Sequence, residues 1–277
     1  MATSIPKYLI NLPERTERLY NSIEQLRKVD LDDMITIVKA VSPEQAQQQQ
    51  FHYLSKTGYQ NIQNPKNSIL IPNYQALACS ISHRNCWKHM ILHEIEEAFI
   101  IEDDIEISNS NFFRFELEQM MDVIEEHSHK AIYILFNGTY IENNNNDSNY
   151  FSLSHTEGLH QTLIQYGGYT DIKYFPYIDY SVKGSHFYYL NLKMASFLLN
   201  KLRHIQYQLD IEISNLAKVY SCHLFLNIES SSIYQSEQFP SDIQFHLISR
   251  DDISKLFNFN LDLSENIWSY LPTCFRA

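Results

Sequence analysis

Short apolar runs of β-forming residues alternate along this chain with stretches of helical periodicity, and that alternation narrows the fold more than any other feature. Lys7–Leu12 (KYLINL) is the first run, and Pro13 then opens a helix-like stretch over Glu14–Lys28. Met34–Val41 (MITIVKAV) reads as a second strand. Strand, helix and strand in that order point to an α/β protein with a parallel sheet. Helical spacing returns over Ala76–His93, and a compact apolar strand follows at Ala98–Ile101. Asn111–Glu126 reads as a helix with Phe112, Phe115, Met120 and Val123 as core candidates, and Lys130–Phe136 (KAIYILF) as a strong strand. Later come helices over Leu192–Arg203 and Ile211–Val219 and a strand over Cys222–Ile228. Two stretches resist this reading. Ala46–Ile71 is polar with scattered Pro and Gly and is expected to be a surface excursion with little regular structure, and Tyr150–Tyr189 is aromatic-rich and is expected to form irregular strands and loops.

The 277 residues have room for one large domain or two modest ones. No linker separates two self-sufficient halves. The expectation is one domain over residues 1–240 with a C-terminal extension, 241–277, packed on it. No repeat indicates a solenoid or propeller. Lys and Arg number 21 against 33 Asp and Glu, a net charge of −12. That balance counts against nucleic-acid binding, which needs a basic face to displace counterions. No apolar run approaches the roughly 18 residues of a membrane-spanning helix. The N-terminus lacks the basic-then-apolar pattern of a secretory signal, so a cytoplasmic setting is expected. Cys79, Cys86, Cys222 and Cys274 show no CxxC spacing and read as reduced thiols. Asn137 and Asn146 head N-x-S/T triplets, which mean little without a secretory signal.

The chemistry concentrates at Glu94–Glu106, which holds seven acids and no base around the strand Ala98–Ile101. Glu102, Asp103 and Asp104 therefore fall at the carboxyl end of a strand, the edge where open α/β sheets bind ligands. Three adjacent carboxylates repel one another, and burial raises the cost of holding all of them ionised. A divalent cation relieves that repulsion. Oxygen donors suit Mg²⁺ or Mn²⁺, which commonly share their coordination with substrate phosphates. The plainer alternative is a solvated turn in which Asp104 caps the next helix.

Four blocks, taken in order, resemble glycosyltransferase family 25, the group of bacterial lipooligosaccharide galactosyltransferases and collagen galactosyltransferases. Tyr8-Leu-Ile-Asn-Leu with Arg15 and Arg18 is similar to the family's opening "INL-x-R-x-x-R". Lys39-Ala40-Val41 is like its second strand. Ala78-Cys79-Ser80-Ile81-Ser82-His83 with Trp87, leading to Phe99-Ile-Ile-Glu-Asp-Asp-Ile, is similar to its "GCxLSHxxxW" and "LEDDV". Gly184–Leu199 followed by Asp210 is like its glycine–tyrosine–alanine helix block and the aspartate after it. The blocks span roughly residues 7–235, and the SH…W…EDD arrangement is the specific part. The chain departs from the family at Gln75-Ala76-Leu77-Ala78, where relatives often carry Gly-Glu-Ile-Gly, and in the long insert before Asn73.

The resemblance implies a GT-A-like fold, a Rossmann-like mixed and mostly parallel sheet with helices on both faces. It also implies transfer of a hexose, often galactose, from a UDP-sugar with inversion. The acceptor would be a glycan, a lipid-linked glycan or another glycosylated molecule, with at most peripheral membrane contact. The EDD takes the place of a metal-binding DxD motif for Mn²⁺ or Mg²⁺. Asp104 is then the direct ligand and Glu102 the outer member, reaching ribose or a metal-bound water, and Asp103 is open to either job. Inversion by one displacement needs a base for the acceptor hydroxyl. Asp210, ahead of a helix, is the first candidate and Asp179 the second, although aspartate at a helix start is also an ordinary cap.

Arg15 and Arg18 follow the first strand, where an arginine fork matches diphosphate oxygens, or else they decorate a solvated helix face. Asn11, Val41 and Ser42 are placed near the uridine by resemblance only. Ser82 and His83 are expected to face the nucleotide sugar. Cys79, His83 and Cys86 share a helical face and raise a zinc reading that lacks a fourth ligand. His186 and His223 are candidates for a third metal ligand. Two rival readings keep the fold: a binding module without turnover, and a nucleotide-sugar hydrolase with a water channel near Asp210.

Overall fold

A computed structural model of the protein describes residues 4–63, 73–141, 174–176, 181–220, 222–228, 232–236 and 238. The C-terminal extension, Asp179, Asn146 and Cys274 lie outside the described residues.

Strands β1 (Lys7–Asn11), β2 (Ile35–Lys39), β3 (Glu97–Glu102), β5 (Ile132–Phe136) and β10 (Leu224–Ile228) share one direction. Strands β7 (Tyr174–Pro176) and β9 (Phe187–Asn191) oppose them in a seven-stranded sheet ordered β2-β1-β3-β9-β5-β10-β7. Two short ladders flank it. One joins β4 (Ile105–Ile107) to β11 (Ile233–Gln235), and the other joins β6 (Thr139–Ile141) to β8 (Ser181–Lys183). The expected mixed, mostly parallel sheet is present.

Alternation along each strand sends neighbouring side chains to opposite faces. Tyr8, Ile10, Ile100, Tyr133, Tyr188 and Leu190 pack on α4 (Tyr74–Leu92), α6 (Leu192–Lys201) and α7 (Leu209–Val219) through Trp87, Met90, Met194, Leu198 and Ile213. Leu9, Phe99, Ile101, Ile134, Phe136 and Phe187 face the other way, toward α1 (Thr16–Arg27) and α5 (Ser110–Glu126), through Leu26, Phe113, Leu117 and Met120. The sheet is thus covered on both faces, which explains why its inner strands read as continuous apolar runs.

The polar stretch after β2 is more ordered than expected. It forms α2 (Pro43–Tyr53) and α3 (Lys56–Gln63) before the description stops. Ser42 accepts from the Gln45 amide while the Gln45 side chain accepts from the Ser42 amide, and Pro43 takes the first helical position. Both are helix-start devices that need no apolar periodicity. Ala46 and Leu54 then pack on Leu77 and Ile81 of α4. In α5 the expected core residue Phe112 is exposed and Phe113 is buried instead, because Phe113, Leu117, Met120 and Ile124 make the inward stripe.

Register places the site. Ile10 pairs with Glu102, so the carboxyl ends of β1 and β3 finish level, and Asn11 sits beside the acids that follow β3. Asp103 and Asp104 form the turn between β3 and β4. The cap of α5 is Asn109, not Asp104.

Candidate active site

A cleft opens at this sheet edge. It is lined by Arg15 and Arg18 of the first β-α connection and helix, by Val41 after β2, by Cys79, Ser82 and His83 of α4, and by Glu102, Asp103 and Asp104. Elements far apart in sequence converge here because parallel strands deliver their carboxyl ends to one edge.

The three acids have different surroundings. Glu102 accepts from the Ser185 hydroxyl and lies 3.1 Å from Nε2 of His83. Burial alone would raise its pKa, but the hydrogen bond and charge of His83 and the Ser185 contact outweigh it and hold Glu102 below the usual range. Asp103 accepts from Asn11 Nδ2 at 2.7 Å and pairs with Arg18 Nε at 3.1 Å. Asp104 pairs with Arg18 Nη2 at 2.9 Å and accepts from Gln235 Nε2 at 2.7 Å. Burial raises both aspartates despite these partners, and the charge of Glu102 pushes them further the same way.

The acids are therefore no solvated turn. Asp104 is 2% exposed, and its Oδ1 is buried with no hydrogen-bond partner among the described residues. A buried carboxylate oxygen left bare is costly, and an oxygen-seeking cation answers it. The residues present fit Mn²⁺ or Mg²⁺, with Asp104 as the donor whose lone pairs are open and Glu102 beside it.

His83 is held from behind. Its Nδ1 lies 2.9 Å from the Tyr188 hydroxyl, which also accepts from Trp87 Nε1 at 3.0 Å. The Ser82 hydroxyl accepts from the Val41 amide at 2.9 Å and ties β2 to α4 at the cleft wall. Asn11 bonds Asp103, and Ser42 caps α2 and does not line the cleft. Asp210 sits in the first turn of α7, one residue past Leu209, with Gln208 at the cap. Its Oδ2 accepts from the Gly184 amide at 3.2 Å, and its charge is felt at Cys79. Gly184 has φ +108°, a backbone conformation that glycine tolerates and side chains rarely adopt, and an added Cβ would meet His186 Nδ1 at 3.3 Å.

The expected histidine and cysteine roles separate. Cys86 turns into the core beneath the sheet and contacts the Ser82 carbonyl, so it does not share a site with Cys79. His223 precedes β10, at the opposite end of the sheet from the acids, and packs on Phe197 and Tyr220. It is no metal-ligand candidate. His186 lies next to the acids: its carbonyl accepts from the Glu102 amide at 2.8 Å, and its side chain is buried. Ala76, where the chain departs from the family pattern, packs into the α2–α4 core and does not line the cleft. Reading the sequence alone missed Ser185 and Gln235. Ser185 lay inside the Gly184–Leu199 block, but Gln235 carried no local signal.

The profile of Glycosyltransferase family 25 (LPS biosynthesis protein) matches residues 4–213, which takes in every cleft residue named above. This chain belongs to glycosyltransferase family 25. The family 25 chain is also 26% identical over 119 residues to human "Procollagen galactosyltransferase 2". That alignment covers 43% of this chain, and the chain spans 18% of the length of the human protein. The family is one of glycosyltransferases. No helix among the described residues is long and apolar enough to cross a membrane.

Proposed function

We propose that this family 25 enzyme transfers a hexose, galactose by preference, from a UDP-sugar to a glycan, a lipid-linked glycan or a glycosylated acceptor, with inversion and with help from Mn²⁺ or Mg²⁺. The observation that carries the reading is the bare, buried Oδ1 of Asp104 in a cleft that also presents Arg15. A carboxylate that lacks a partner and a cationic wall are what a metal–diphosphate leaving group requires.

Each residue then has a job. Asp104 and Glu102 hold the cation, which when bound supplies Lewis-acid stabilisation of the departing diphosphate. Asp103 is committed to Asn11 and Arg18 and positions the turn. Arg15 meets diphosphate oxygens from the cleft wall. Val41 and Ser82 shape the floor on which the uridine rests. Asp210 takes the proton of the acceptor hydroxyl, with the Gly184 amide orienting its carboxylate. Asp179 is the second candidate for that base. The setting we propose is cytoplasmic, where Cys79, Cys86 and Cys222, all free thiols, stay reduced.

Thermal-shift titration with UDP, GDP, UDP-galactose and UDP-glucose, with and without Mn²⁺, tests the donor. A ligand that binds only the native state raises its stability by mass action. A Mn²⁺-dependent shift with uridine compounds alone is expected, and it should vanish in Asp104→Ala. Asp210→Asn should keep the shift and lose turnover by about 10²–10⁴-fold. A folded sample that shifts with no nucleotide would leave a binding module without turnover. Free hexose released at the same rate with or without acceptor would make the enzyme a hydrolase.

A further inference from the structure

Cys79, His83 and Glu102 converge on one point of the cleft wall, and the all-oxygen reading of the acids does not use that convergence. The Cys79 Sγ, a His83 ring nitrogen and a Glu102 carboxylate oxygen all lie within 4.8 Å of one another. Cys79 and His83 stand four residues apart on α4, so one rigid helix face presents both. Glu102 arrives from the end of β3. All three line the open cleft, so an ion has a path in.

We infer that Cys79, His83 and Glu102 form a binding site for a thiophilic divalent cation, Zn²⁺, in the chain free of donor, with Glu102 shared between this site and the oxygen-only Asp104 side of the same cleft. Thiolate, imidazole and carboxylate together select zinc over Mg²⁺ or Mn²⁺, which favour oxygen alone. Zinc bonds of about 2.0–2.3 Å set tetrahedral donors roughly 3.3–3.6 Å apart, so from the 4.8 Å within which the three atoms lie a bound ion would draw Cys79 inward. His83 Nε2 is 3.1 Å from Glu102 Oε1, so those two donors need only part slightly.

An outer shell is already built. The Tyr188 hydroxyl meets Nδ1 of His83 and leaves Nε2 toward the cleft, and the Ser185 hydroxyl orients Glu102. Metal-bound histidines depend on such a partner at the other ring nitrogen. Three protein donors and an open cleft side leave the fourth position to water, the pattern of an exchangeable zinc site. On binding, the Cys79 thiol releases its proton to solvent and the His83 ring proton resides on Nδ1, facing Tyr188; nothing is oxidised or reduced. The inference does not rest on the UDP-sugar reading, because it concerns the chain free of donor.

Cobalt(II) is the probe, since a thiolate bound to it gives a charge-transfer band in the near ultraviolet. The full chain and its Cys222→Ser variant should bind a single equivalent and show the band. Zn²⁺ should bleach it and Mg²⁺ should not. Asp104→Asn should keep it, which separates this site from the proposed donor metal. Cys79→Ser should lose the band and weaken Zn²⁺ binding by more than the roughly 10–100-fold that loss of an outer-shell partner costs. A second measurement needs no variant: Zn²⁺ should shield Cys79 of the wild-type chain from alkylation, read by peptide mass. A folded wild-type chain without the band, a band that survives Cys79→Ser, or a Cys79 that Zn²⁺ leaves open to alkylation would each overturn the site.

Discussion

Among the described residues, carboxylates wholly or partly withdrawn from solvent lie near arginine in two settings that are built differently. At the cleft, Arg18 touches both Asp103 and Asp104, at 3.1 and 2.9 Å. Behind α4, Glu212 of α7 accepts from the backbone amides of Gln206 and Tyr207 at 2.9 and 3.0 Å, and Arg84 acts on it only through its charge. Arg84 itself is buried over the Tyr53 ring, its Nε and Nη1 without hydrogen-bond partners among the described residues. The outcome is nevertheless the same, for Asp103, Asp104 and Glu212 all stand above their ordinary pKa because burial dominates. Of the carboxylates around these two arginines Glu102 alone goes down, where His83 and Ser185 both serve its carboxylate. Two donors reach each of these four carboxylates, so their number does not separate them. Glu102 differs in that His83 both bonds it and adds its charge, with the charge of His186 beside it.

Replacing each arginine by methionine should break the comparison most clearly. Arg18→Met strips two buried aspartates of the cation they touch, a loss of about 3–5 kcal/mol. Arg84→Met removes a desolvated guanidinium that makes no hydrogen bond through Nε or Nη1, and methionine retains much of its packing. A change within about 1 kcal/mol is expected there. Urea unfolding of both variants at neutral pH checks the difference. Equal losses would mean that contact with the carboxylates is irrelevant.

The exception, Glu102, depends on how His83 is held. Tyr188→Phe removes the hydroxyl that meets both His83 Nδ1 and Trp87 Nε1, and it leaves buried polar atoms without a partner. The expected cost is about 1–3 kcal/mol. Unfolding measurements give that figure, and the His83 ring resonances should broaden or move as the imidazole loses its orientation. An unchanged spectrum and stability would show that α4 alone fixes the ring.

These contacts also mark how far the sequence could be read. The acidic strand end was legible because Phe99–Ile101 is buried on both faces, which left a continuous apolar run ending abruptly in EDD. The order of sheet-forming segments was legible for the same reason. The helices α2 and α3 were not, since Ala46 is the single buried residue of α2 and the helix is set by its cap. Arg18 was legible as a cation near the site but not as the partner of both aspartates, because β1–β3 register decides that. Ser185 and Gln235 reach Glu102 and Asp104 across 83 and 131 residues, a separation no local pattern encodes.

The smallest expected effect is a pH slope from the second carboxylate. Burial lifts Glu212 from its ordinary 4.5 to about 7, against the two amide hydrogen bonds and the Arg84 charge that pull it down. Between those values the native chain holds a proton that the unfolded chain has released. Stability therefore falls as pH rises from about 4.5 toward 7, and this contribution is flat on either side. One such group gives a slope of at most about 1.4 kcal/mol per pH unit, and partial exposure of the side chain reduces it. Glu212→Gln keeps the acceptor for the two amides and carries no charge, so the variant's stability should exceed wild type by a margin that grows across this window. A stability difference between the two chains that stays the same at pH 5 and pH 8 would mean that Glu212 is not raised, and it would follow that the two backbone amides and the Arg84 charge suffice to offset burial.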